Sequence, residues 1–62
     1  MYKAIRNIEV TFKNNKVKEM TFIVFDNAMD NARAKLTREV KHLASNPKVT
    51  KITNVSEYFE TI

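Results

Sequence analysis

Along the first dozen residues, Ala4, Ile8, Val10 and Phe12 are apolar, with Asn7, Glu9 and Thr11 between them. A period of two predicts a half-buried strand over residues 4–12. Ile5 breaks the alternation and points to the opposite face. The polar stretch KNNK, residues 13–16, predicts a turn, and residues 17–25 read as a second strand. Within it, TFIVFD places Phe22, Ile23, Val24 and Phe25 side by side, so both faces of this strand need cover. From Asn27 the period changes. Met29, Ala32, Leu36, Val40 and Leu43 recur at spacings of three and four and form the apolar stripe of a helix, with Asn27 as its expected cap and Asp30 three residues on. The sequence SNP at residues 45–47 stops it, because proline disfavours helical geometry in the residue before it. Residues 48–55 read as a third strand. Val49, Ile52 and Val55 recur every third residue there, which predicts a bulge or a change of phase near Thr53. The tail SEYFETI either extends that strand or folds back.

Hairpin register follows from which faces must be apolar. A two-residue loop at Asn14 and Asn15 would set Val10 opposite Glu19 and scatter apolar residues over both faces. An odd loop over residues 14–16, or a bulge, sets Val10 opposite Met20 and Ile8 opposite Phe22, giving one continuous apolar face. Ile5 then stands opposite Phe25 and beside Ile23. The chain has no glycine, so an asparagine is the expected carrier of any left-handed backbone in the turn. The helix returns the chain along the sheet, so strand three lies parallel to strand two and fits beside strand one through a right-handed crossover. The alternative places it beside strand two. The expectation is an α+β fold: a two-layer ββαβ unit over residues 1–62, with a three-stranded, mainly antiparallel sheet in order 2-1-3 and one helix on one face.

Composition narrows the possible stabilising devices. A chain of 62 residues buries only about 60% of its unfolded surface, and small folds often add disulfides or a metal. With no cysteine and one histidine, neither is expected, and self-association is the remaining common route. The absence of cysteine fits a reducing compartment, and the charged, alternating first residues are unlike a secretion signal, so a cytoplasmic location is expected. The longest apolar run is four residues, against the roughly twenty of a membrane-spanning helix, so no membrane partner is expected.

No catalytic, metal or cofactor motif is present in the pattern. His42 and Asp30 would lie about 18 Å apart along one helix, too far for an acid–base pair. The absence of glycine removes the familiar phosphate-cradling loops. Charge is more informative: 11 Lys and Arg against 7 Asp and Glu give a net charge of +4, which favours anionic partners. On the helix, Lys35, Arg38, Lys41 and His42 avoid the apolar stripe and read as a solvated face, with Lys35 and Glu39 as an i,i+4 pair. The predicted topology gathers Lys13, Lys16, Lys18, Lys41, Lys48 and Lys51 at one end and Asp26, Asp30, Glu57 and Glu60 at the other. Helix-dipole complementarity accounts for part of that polarity, but not for the hairpin lysines.

Two ways of covering Ile5, Ile23 and Phe25 remain open. Tyr58, Phe59 and Ile62 could fold over them, or a second copy or another protein could do so. The functional expectation is a small non-enzymatic binding or regulatory module, self-associating as a dimer, with Ile5, Ile23, Phe25, Tyr58 and Phe59 forming the protein-binding surface. The alternative is a nucleic-acid-binding protein that uses the lysine-rich end for phosphate contacts. That end lacks arginine, which weighs against sequence-specific reading of the major groove. An accessory subunit of a larger assembly is a third possibility.

Overall fold

A computed structural model describes residues 1–62. The elements are β1 (Tyr2–Phe12), β2 (Val17–Asp26), α1 (Met29–Ala44) and β3 (Val49–Thr61). The sheet has the expected order β2-β1-β3, with β1 antiparallel to both neighbours. The molecule is elongated, measuring 39 × 17 × 11 Å. No helix is long and apolar enough to cross a membrane.

The hairpin loop is odd, as expected, but it begins one residue earlier. The Phe12 N–H donates to the Lys16 carbonyl at 2.9 Å and the Asn15 N–H to the Phe12 carbonyl at 2.9 Å, so Lys13, Asn14 and Asn15 make the turn. Asn15 has φ 65°, the chain's one positive φ. This explains the correction to the register. A loop over residues 14–16 would have put Lys16 in the left-handed position at its end, whereas the actual loop puts an asparagine there. Val10 therefore stands opposite Lys18, Ile8 opposite Met20 and Ile5 opposite Ile23, each two residues from the expected partner. A displacement of two preserves the faces, so Ala4, Ile8 and Val10 are buried beneath the helix as the alternation predicts.

The helix starts at Met29, with Ala28 in the capping position and no side-chain cap, which corrects the expected Asn27 cap. The Ala28 N–H is instead accepted by Asp26 Oδ1 at 3.0 Å, an Asx turn that ends β2 and aims the chain into the helix. At the other end, the Ser45 hydroxyl donates to the His42 carbonyl at 2.6 Å, satisfying one of the free carbonyls of the last turn. Ala32 and Leu36 are fully buried and pack with Ala4, joined by the partly buried Phe22, Val24 and Phe59. Met29, at the start of the stripe, remains exposed.

The tail extends β3 to Thr61, and the Ile62 N–H donates to the Met1 carbonyl at 2.9 Å. The register of β3 shifts between Asn7 and Ile8, where Ser56 and Asn54 are the successive partners and Val55 is the extra residue. The expected phase change thus falls two positions beyond Thr53. A second irregularity lies between Thr11 and Phe12, at Thr50. Bulges of this kind reset which face each later side chain occupies. Ile52, on one side of the Val55 bulge, and Phe59, on the other, both reach the helix side despite their odd spacing.

Candidate interaction surfaces

Side chains alternate along a strand, so β1 residues opposite in phase to Ala4, Ile8 and Val10 line the face that the helix leaves bare. Pairing sets them in rows across β2, β1 and β3: Phe25, Lys3, Glu60; then Ile23, Ile5, Tyr58; then Thr21, Asn7, Ser56; then Glu19, Glu9, Thr53; and last Val17, Thr11, Lys51. Ile5, in the middle strand and flanked by Ile23 and Tyr58, is 5% exposed. Ile23, Phe25 and Tyr58 are 49%, 50% and 47% exposed. The tail does not fold over these residues, because it is a strand of the same sheet. It adds Tyr58 to the apolar patch instead of covering it.

Next to the patch, the Thr21 hydroxyl donates to Asn7 Oδ1 at 2.6 Å and Asn7 Nδ2 to the Ser56 hydroxyl at 2.9 Å. This polar row ties all three strands together. Glu9 and Glu19 then stand directly opposite each other, an arrangement of like charges that destabilises a strand pair. No cation lies within ion-pair distance of either.

Phe59 belongs to the other face. It is partly buried against Ala4, Ala32 and Leu36, and the Arg33 guanidinium lies 5.3 Å from its ring centroid. Of the expected protein-binding residues, Ile5, Ile23, Phe25 and Tyr58 come together, and Phe59 does not join them.

The helix side holds a charged cluster that the hydropathy pattern concealed. Arg6 is in phase with Ala4 and Ile8 and is only 7% exposed. Its Nε donates to Glu57 Oε2 at 2.9 Å, Nη2 lies 2.7 Å from the same oxygen, and Nη2 donates to the Thr37 hydroxyl at 3.4 Å. Arg33 Nε donates to Glu57 Oε1 at 3.2 Å, so one carboxylate bridges two arginines. The position of Arg6 in the core phase of β1 was the one sequence signal for this cluster. Lys35 pairs with Asp26 at 2.7 Å, and not with Glu39 as the helical spacing predicts. The Lys35 hydrogen bond, followed by that of the Ala28 amide, lowers the Asp26 pKa from 3.8 to about 2.

Every ion pair lies away from the hairpin tip: Lys3–Glu60, Arg6–Glu57, Arg33–Glu57 and Lys35–Asp26. The expected acidic end is therefore mostly neutralised, with Asp30 left in the first helical turn. The expected basic end is assembled, and none of its lysines has an ion-pair partner. The Lys13 N–H donates to the Lys48 carbonyl at 2.8 Å, joining the hairpin tip to the start of β3. Lys16 sits across the turn from Phe12, Lys18 opposite Val10, Lys51 opposite Thr11 and Lys41 in the last helical turn. Phe12, Lys13, Asn14 and Lys48 line a depression of about 290 Å³.

Comparison with protein-family models, curated proteins and solved structures finds no match.

Proposed function

We propose that this protein is a non-enzymatic association module whose bare sheet face binds a second copy of the same chain. The cluster of Ile5, Ile23, Phe25 and Tyr58 on the side away from the helix is the observation that carries the proposal. An apolar cluster beside a polar row and a charged rim has the layout of an interface core and its surround.

The order of the rows selects one arrangement. If two faces met antiparallel and fully overlapped, the row of Ile5 would lie against the partner's Glu9 and Glu19, burying carboxylates without partners at a cost of several kcal/mol. Centring the two-fold axis on Ile5 avoids this. Ile23, Ile5 and Tyr58 then meet their own copies, Lys3 lies over the partner's Asn7, Glu60 over the partner's Ser56 and Phe25 over the partner's Thr21. The two lysine-rich ends point away from each other, which minimises like-charge repulsion. The overlap spans seven residues of each strand across three strands, a footprint of about 20 by 14 Å. That is smaller than the roughly 800 Å² per partner of a standard interface, so a weak, concentration-dependent dimer is expected.

Sedimentation over a range of concentrations tests this reading. Wild type should pass from monomer to dimer, and Phe25→Asp should remain monomeric with unchanged circular dichroism, because it puts a charge into an apolar contact. A wild type that stays monomeric at every concentration, or a variant that dimerises equally well, would refute it.

A further inference from the structure

We infer that the hairpin end of the molecule is a binding site for the phosphate backbone of nucleic acid. The inference rests on how the charges are partitioned and is independent of self-association. Lys3, Arg6, Arg33 and Lys35 are each tied to a carboxylate, whereas Lys13, Lys16, Lys18, Lys41, Lys48 and Lys51, with Arg38 three residues before Lys41 on the helix, have no carboxylate within ion-pair distance. The excess of positive charge is thus concentrated at one end of a molecule 39 Å long.

Three segments build that end: the hairpin, the last turn of the helix and the start of β3. The Lys13–Lys48 backbone hydrogen bond holds two of them in register. Lys13 and Lys48 share a depression with Asn14, whose Oδ1 accepts the Lys16 N–H at 3.1 Å, leaving its amide nitrogen free to donate. Lysine ammonium groups and a side-chain amide suit phosphate oxygens and carry no sequence information, because base reading depends on groups placed in a groove.

A neighbouring copy is a poorer occupant. Its Asp26, Glu57 and Glu60 are already paired internally, and its unpaired carboxylates are dispersed, Glu9 and Glu19 on the open sheet face, Asp30 in the first helical turn and Glu39 further along the helix. A polyanion has no such internal compensation, and each phosphate neutralised releases counterions.

The test is binding to duplex DNA of mixed sequence as a function of salt. With about four phosphates engaged, log affinity should fall against log salt with a slope of about −3.6, and base sequence should matter little. Lys13→Gln/Lys48→Gln should reduce the magnitude of the slope by about two units. Lys3→Gln/Lys35→Gln changes net charge equally at the far end and should leave it unaltered. Circular dichroism of both variants should match wild type. Failure to bind at low salt would overturn the inference, as would equal losses in the two variants, or displacement of DNA by poly-glutamate of equal charge concentration. The first two results would mean no site at this end, and the third a site for acidic polypeptide. Phe25→Asp should bind DNA with the wild-type slope, so failure of the dimer leaves this test intact.

Discussion

Beneath the helix, Arg6 is almost wholly enclosed, yet its guanidinium meets Glu57 and Thr37, and every buried side-chain polar atom has a partner. Across the sheet, Ile23, Phe25 and Tyr58 stand half exposed beside an uncompensated Glu9–Glu19 pair. The covered face contains charge and satisfies it, while the open face contains apolar surface and does not cover it. Enclosed polar groups with partners contribute to a specific structure, whereas an uncovered apolar cluster is the kind of surface at which proteins associate.

The largest test of this contrast is Arg6→Ala. It leaves Glu57 with Arg33 alone and opens space under the helix, and should cost about 3 kcal/mol in denaturant unfolding. Arg6→Met/Glu57→Leu removes both charges and restores apolar volume, so its stability should return close to wild type. A single variant as stable as wild type would mean that the cluster is not part of what holds β3 and the helix to β1.

A smaller effect of opposite sign is expected on the open face. Glu19→Lys turns a like-charge cross-strand pair into an attractive one and should stabilise the monomer by about 0.5 kcal/mol, measured by thermal unfolding at low salt. The gain should shrink as salt rises.

The smallest is a pH effect on the covered side. The Asp26 carboxyl is lowered to about 2, so its ion pair contributes stability above pH 3.8, and that contribution is lost as pH falls through about 2. In Lys35→Ala the Asp26 pKa should rise toward 3.8, and the loss on acidification should start at higher pH. Carboxyl chemical shifts followed through an acid titration report this directly.

Strand order and the helix-facing set were legible because alternation at Ala4, Ile8 and Val10 and the stripe through Ala32 and Leu36 fix which sides meet. Exact pairing was not legible from that pattern. Registers two residues apart place the same side chains on the same faces, and only the need for asparagine at the left-handed position selects between them. The role of Arg6 was not legible, because a charged residue in core phase reads as an interruption until a partner is known, and that partner, Glu57, lies far along the chain. The fates of Tyr58 and Phe59 depended on a bulge at Val55, where one extra residue exchanges the faces. Of the candidate surfaces, the Ile5, Ile23 and Phe25 patch was readable from the broken alternation alone. The lysine end was readable from topology, although its lack of ion-pair partners depends on how the carboxylates are placed in the fold.

The most direct test of the central claim, that the uncovered sheet face is where this protein associates, is amide chemical shifts followed through a dilution series. The amides of Ile5, Ile23, Phe25 and Tyr58 should move together with concentration, with smaller changes at Asn7, Thr21 and Ser56 and none at Leu36 or Lys48. Shifts that are independent of concentration, or that cluster on the helix instead of this face, would contradict it.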